Sequence, residues 1–161
     1  MPDKKIKSLA ALEKILAAKK RQGKKIVAAS GAFDLLHLSH IEFLEKAKRL
    51  GDILVVFLNS DSSVKNSKGP KRPIFSENIR ARMLAALEAV DYVLTFSEPH
   101  CLHLLRKLKP HIFAQGQDWG LNCIERPVMV EHGGEVRVIK VSRKITTSNI
   151  INLILRKHGD N

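Results

Sequence analysis

The chain has 161 residues, 44% of them hydrophobic, and carries 28 Lys and Arg against 16 Asp and Glu for a formal net charge of +12. That length fits one domain able to bury on the order of two-thirds of its unfolded surface without a disulfide framework or structural metal. The longest clean apolar run, Ile53 to Leu58, falls far short of the roughly 20 residues a membrane span requires. No apolar signal core follows Met1 to Lys5, so a cytoplasmic protein with no membrane partner is expected, and in that reduced compartment Cys101 and Cys123 should be free thiols. The positive charge suggests an anionic partner. Its clusters, Lys4-Lys5-Lys7, Lys19-Lys20-Arg21 with Lys24-Lys25, and Lys65 to Arg72, are not interleaved with aromatic residues that could stack on bases, so no nucleic-acid partner is expected.

In chain order, Ser8 can cap a helix with Leu9, Leu12, Ile15 and Leu16 on one face, running to about Gly23. Residues 1–23 read as an N-terminal helical appendage packed on a sheet, and 24–161 as the main domain. Lys24 to Ser30 forms a first strand, and a helix opens at His37–His40 and ends near Gly51. Ile53 to Leu58 is unbroken in its apolar character, which suits a strand buried on both faces of a parallel sheet. From Asn59-Ser60-Asp61 to about Phe75 no periodic pattern is visible, and a segment of that length reads as a binding loop. Ser76 or Asn78 then caps a helix that turns Met83, Leu84, Leu87 and Val90 inward, and Tyr92 to Phe96 is a third strand. A helix through Leu102, Leu105 and Leu108 stops at Lys109-Pro110. His111 to Gln115, Ile124 to Glu131, Glu135 to Val141 and Thr147 to Lys157 read as strand, helix, strand and closing helix. The alternation predicts a single doubly wound, Rossmann-like α/β domain with a five-stranded, mostly parallel sheet and a ligand cleft at the carboxyl ends of its strands.

The chemistry concentrates between Ala28 and His40. An apolar strand breaks at Gly31, and two imidazoles, His37 and His40, stand three positions apart on the first turn of the following helix, pointing the same way. Free N–H groups at a helix start, a glycine permitting close approach, and ring donors together suit a phosphate. On the residues alone, a packing pair or metal ligands remain alternatives, although no clustered Cys/His set completes a tetrahedral metal site. Lys68, Lys71 and Arg72 can close on phosphates from their loop. Arg80, at a helix start, can reach β- and γ-phosphates or pair with Glu77. Thr146, Thr147 and Ser148 open the last helix as plain caps or as a phosphate turn. Asp118 and Trp119, after Gly116, read as a loop for base or sugar, or as an Asx turn and a packing indole.

Gly31-Ala32-Phe33-Asp34 followed by His37-Leu38-Ser39-His40 resembles the G-x-F-D…H-x-G-H signature of the nucleotidyltransferase superfamily that includes cytidylyltransferases and sugar-phosphate adenylyltransferases. Further blocks follow in family order over nearly the whole chain: Asn59-Ser60-Asp61, Lys68 to Pro73, Arg80, Ala86 to Asp91, Gly116 to Trp119, and Thr146 to Ile151. The pattern is most similar to the adenylyltransferase domain of bacterial bifunctional heptose enzymes. Three positions depart from it: Ser39 replaces the glycine between the histidines, Ala32 the usual Thr or Cys, and Gln115-Gly116-Gln117-Asp118 the usual Lys-Gly-Gly-Asp.

The resemblance implies a nucleotidyltransferase fold and transfer of a nucleoside monophosphate, AMP from ATP, to a sugar 1-phosphate, D-glycero-β-D-manno-heptose 1-phosphate, giving ADP-heptose and pyrophosphate. His37, His40, Lys68 and Arg80 are then expected to be catalytic. Gly31, Ala32, Phe33, Ser39, Gln115, Gly116, Asp118, Thr146, Thr147 and Ser148 join His37, His40 and Arg80 around the nucleotide, and Asp34, Lys68, Lys71, Arg72 and Trp119 meet the second substrate. Mg²⁺ is expected with the triphosphate, held by phosphate oxygens and water, with Asp34 in a supporting role and no dedicated metal ligand. A homo-oligomer, a dimer, is the expected assembly. Two other readings stand beside this one: a cytidylyltransferase using CTP and a polyol phosphate such as glycerol 3-phosphate, and, because of Ser39 and Gln115, a catalytically weakened nucleotide-binding regulator.

Overall fold

The computed structural model describes residues 2–142 and 145–159. A 3-10 turn, Pro2–Lys5, leads into α1 (Leu9–Arg21), β1 (Ile26–Gly31), α2 (Leu38–Lys48), β2 (Ile53–Asn59), α3 (Asp61–Lys68) and α4 (Glu77–Ala86). These are followed by β3 (Tyr92–Phe96), α5 (Leu102–Leu108), β4 (Ile112–Gly116), α6 (Glu125–Glu131), β5 (Glu135–Ile139) and α7 (Thr147–His158). The strands form one sheet in the order β3-β2-β1-β4-β5, and every pairing between neighbours is parallel. The predicted doubly wound α/β architecture is the one observed, with the strand order reversing between β1 and β4.

Strand alternation builds two cores, one on each face. Ile26 and Ala28 of β1 join Val55 and Phe57 of β2, Leu12 and Leu16 of α1, Leu104 and Leu105 of α5, and Met129 of α6. Val27 and Ala29 join Leu54 and Val56, Leu44 and Ala47 of α2, and Leu84 of α4 on the other face. This is why β1 and β2 read as continuous apolar runs and not as alternating ones.

The N-terminal segment packs against the sheet. Leu12 and Leu16 are buried, the Lys7 N–H donates to Val93 O at 2.9 Å beside an Ile6–Val93 bridge, and Ser8 caps α1 by accepting from the Ala11 N–H. Part of the basic charge does structural work. Lys20 Nζ donates to the carbonyls of Leu108 and Lys109, both at 2.7 Å, and Lys5 Nζ to those of Leu87 and Val90, so each ammonium sits at the carbonyl-rich C-terminal end of a helix. Cys101 and Cys123 are free and buried, and no helix among the described residues is long and apolar enough to cross a membrane.

Several boundaries differ from the sequence reading: α4 ends at Ala86, with Leu87 already extended, so Leu87 and Val90 lie beyond the helix and not on its inner face. The segment after Asn59 begins as a helix, α3, and not as a loop. Ser60 caps it by accepting from the Ser63 N–H at 3.2 Å, and Val64 is its one buried hydrophobic residue, so no apolar period could show. β1 starts at Ile26 and not Lys24, because the Lys25 N–H is taken by the Asp52 carboxylate at 2.7 Å. β5 ends at Ile139 and not Val141, because the chain beyond it turns onto α2, where Lys46 Nζ reaches the Lys140 carbonyl at 2.8 Å.

Candidate active site

A cleft of about 340 Å³ opens at the carboxyl ends of β1 and β4, where doubly wound sheets place their ligands. Its floor is the turn after β1. Phe33 and Leu35 both hold φ at +47°, a conformation unusual for residues with side chains, so the turn is tightly constrained by its surroundings. A Cβ at Gly31 would stand 3.0 Å from the Phe33 ring, a contact tighter than usual that the ring would have to shift to relieve. That ring in turn meets His40 edge-on, with centroids 5.3 Å apart.

His37 is the N-cap residue of α2, and its ring stacks on that of His40 with centroids 3.7 Å apart and an interplanar angle of 18°. Burial lowers the pKa of His37. Burial, reinforced by the neighbouring His37 and Lys68, lowers that of His40 to about 3. Both rings are therefore neutral at pH 7. Each has a buried Nδ1 without a hydrogen-bond partner, an arrangement that calls for a reason in a folded protein. Both histidines line the cleft.

Asp34 is buried, and its carboxylate faces the protein. Oδ2 accepts from Arg72 Nε and Ile74 N, both at 2.8 Å, and Oδ1 from Phe75 N at 3.0 Å. Burial alone would raise its pKa, but the bonds from Ile74, Phe75 and Arg72 prevail and hold it below the usual carboxylate range. Asp34 thus fixes the 72–75 segment beside the cleft and does not offer its carboxylate to a ligand. Lys68, the last residue of α3, and Arg72 both reach the cleft wall. Partial burial and the charge of Arg72 lower the Lys68 pKa. Lys71 is exposed and lies outside that wall.

The largest departure from expectation concerns Arg80. Its side chain is fully buried in α4 and does not line the cleft. Nε donates to Phe75 O at 2.9 Å, Nη1 to Ala32 O at 2.6 Å and Asn59 O at 2.8 Å, and Nη2 to Asp61 Oδ1 at 2.8 Å. A guanidinium committed in this way ties the turns after β1 and β2 to the 75 region, in place of reaching phosphates itself. Nor does it pair with Glu77, whose carboxylate accepts from the Asp61 N–H.

Thr146, Thr147 and Ser148 line the same cleft at the start of α7. Thr146 and Asn149 form a reciprocal capping box, and Thr147 Oγ1 donates to Asp34 O at 2.7 Å. Ser39 is also in the wall, buried, with its Oγ accepting the Ile145 N–H at 2.8 Å. At the end of β4, Gln115 Nε2 approaches Glu125 Oε2 at 3.4 Å, and a turn closed by Trp119 N to Gly116 O carries Asp118 and Trp119 to the rim. Trp119 is 75% exposed, which sets aside the packing-indole reading. Gly31, Ala32, Phe33, Gln115 and Gly116 complete the expected set around the same space. Phe43, Val141 and Ile145 line it as well without having been singled out. Phe43 sits in a helical pattern that reads as core, and the other two flank the β5–α7 connection, where neither periodicity nor motif marks them.

A doubly wound sheet with paired imidazoles, hydroxyls at a helix start and cationic side chains around a switch-point cleft defines a nucleotide-binding α/β domain. The cytidylyltransferase-like family model matches residues 28–157. The chain belongs to this family of nucleotidyltransferases. It is 42% identical over 159 residues to the bifunctional protein HldE of Geobacter sulfurreducens, covering 98% of this chain and 32% of that protein. Over 149 residues it is 48% identical to HldE of Helicobacter pylori, covering 92% of this chain and 32% of the relative. The chain thus spans about a third of the length of these curated relatives. Among solved structures, the lipopolysaccharide core biosynthesis protein of Thermoplasma volcanium GSS1 is 32% identical with a TM-score of 0.63, over 76% of this chain and all of the other.

Proposed function

We propose that this cleft transfers a nucleoside monophosphate from a nucleoside triphosphate to a sugar 1-phosphate and releases pyrophosphate. The observation that carries the reading is the His37–His40 stack with its two unpartnered Nδ1 atoms, lining the same cleft as the Thr146–Ser148 turn that is bonded to Asp34 beside it. An oxygen of the acceptor phosphate attacks the α-phosphorus, that O–P bond forms, and the bond from the α-phosphorus to the bridging oxygen breaks, leaving pyrophosphate. The acceptor is already an anion, so no general base is needed. What the protein must supply is alignment and neutralisation of the charge that builds on the phosphates. The imidazoles take up protons against that charge, Lys68 and Arg72 approach from α3 and its following turn, and the N-terminal end of α7, with the Ser148 hydroxyl, faces the phosphates.

Mg²⁺ enters in this reading as part of the nucleotide substrate, bound by phosphate oxygens and water, where it offsets phosphate charge. The described residues contain no group of three or more His, Cys, Asp or Glu able to hold a metal, and the Asp34 carboxylate is occupied by three protein donors.

Similarity to the HldE proteins over more than nine-tenths of this chain, together with the likeness to a lipopolysaccharide core biosynthesis protein, supports ATP as donor and D-glycero-β-D-manno-heptose 1-phosphate as acceptor, with ADP-heptose as product. The test is pyrophosphate release with ATP or CTP, each paired with heptose 1-phosphate or glycerol 3-phosphate. ATP with heptose 1-phosphate is expected to be the productive pair. Turnover with CTP and glycerol 3-phosphate would replace it, and nucleotide binding without transfer to either acceptor would favour the regulatory reading.

A further inference from the structure

One stripe of α2 carries Ser39, Glu42 and Lys46, and Ile145, Ser142 and Lys140 meet these residues in that order. Lys46 Nζ donates to Lys140 O at 2.8 Å. The Glu42 carboxylate accepts from the Ser142 N–H at 2.9 and 3.0 Å and from Ser142 Oγ at 2.6 Å, and Lys46 reinforces it at 2.7 Å. Ser39 Oγ accepts from the Ile145 N–H at 2.8 Å. Thr146 follows directly as the α7 N-cap, and Thr147 Oγ1 then bonds Asp34 O in the turn below the histidines. Three rungs therefore lead the chain from the end of β5 to the mouth of the cleft, and the last of them is made by a residue lying between the two histidines.

We infer that Ser39 and Glu42 are positioning residues: they hold the Thr146–Ser148 turn against the phosphate-binding side of the cleft, and Ser39 does so with an acceptor that the glycine of the family motif does not have. The inference deepens the proposed function and rests on it for the identity of the ligand. Physical need is visible in α7 itself, which has no buried residue to fix its orientation by packing. A helix of 12 residues is marginal without packing. Its direction is then set by the bonds at its N-terminal end: the capping box, the Thr147–Asp34 bond and the α2 rungs just ahead of them. The Glu42 carboxyl, held down to about pKa 2 by its bonds to Lys46 and Ser142, stays ionised through the physiological range.

The experiment compares Ser39→Ala, Glu42→Ala and Glu42→Gln with the unaltered protein by hydrogen exchange over residues 145–150 and by titration with ATP and with adenosine. Ser39→Ala removes the acceptor for the Ile145 N–H. Exchange there is expected to quicken at least tenfold, ATP affinity to fall about threefold to tenfold, the usual worth of one hydrogen bond, and adenosine affinity to stay unchanged. Glu42→Ala should behave alike, and Glu42→Gln, which keeps an acceptor for Ser142, should restore most of the loss. Unchanged exchange, or equal losses for ATP and adenosine, overturns the inference, because a general structural role does not single out the phosphates. Should the unaltered protein bind neither nucleotide, the proposed function fails, and exchange at 145–150 alone decides whether Ser39 and Glu42 hold the turn.

Discussion

Arg80 Nη1 donates to the carbonyl oxygen of Ala32 across 2.6 Å, and through that bond a residue outside the cleft fixes the turn on which Phe33 and the histidines depend. Removing the guanidinium strands three carbonyls and the Asp61 carboxylate. Arg80→Ala is therefore expected to cost about 3–5 kcal/mol, as for breaking a buried ion pair, seen as a fall in Tm on the order of 10 °C. Urea unfolding checks it. A variant of unchanged stability with nucleotide affinity lowered more than tenfold would return Arg80 to the phosphates.

His37→Ala and His40→Ala should each lower kcat by about 10²–10³, the magnitude for losing one donor aimed at developing charge, with a much smaller change in nucleotide affinity. Steady-state kinetics at saturating substrates separates the two quantities. Retention of more than roughly a third of the turnover in either variant would make the pair structural.

The histidines also predict a pH signature. In the free protein both pKa values lie below the ordinary value, His40 at about 3, so between there and the unfolded value near 6.5 the unfolded chain binds more protons. Their contribution to stability is accordingly full above about pH 6.5 and is lost as the pH falls from there. A bound triphosphate reverses the balance, because its charge raises both pKa values. Calorimetry in buffers of different ionisation enthalpy should show proton uptake on ATP binding at pH 6 that fades by about pH 8, with affinity rising as pH falls. Binding without proton uptake at pH 6 would mean that the imidazoles do not meet the phosphates.

Trp119 is the chain's single tryptophan and is 75% exposed at the rim of the cleft. Its emission should shift to the blue and change in intensity when a substrate covers it, and Trp119→Ala should raise one substrate's KM several-fold while leaving Tm within about 1 °C, since an exposed side chain contributes little to the fold. A fluorescence titration with ATP and the sugar phosphate separately tells which of them the 116–119 turn meets. No response to either removes that turn from the site.

The sequence by itself determined the five strands, their parallel doubly wound arrangement and the place of the cleft, because these follow from local signals. Buried strands are continuous apolar runs, as in Ile53 to Leu58, and Gly31 with His37 and His40 marks a strand-to-helix turn at the sheet's carboxyl edge. Tertiary structure decided what several polar side chains are for. Arg80, Asp34 and Ser39 all stand in or near motif positions, yet each bonds to partners far along the chain: Ala32 and Asn59, the 72–75 segment, and Ile145. Hydrogen bonds of this kind leave no periodic trace, since one donor can reach any carbonyl that the fold brings within 3 Å or so. For the same reason α3 leaves no periodic trace: Val64 is its one buried hydrophobic residue, and a single apolar position has no spacing to read. Apolar burial repeats along a chain and can be read from it, whereas a polar contact is settled only when distant segments meet.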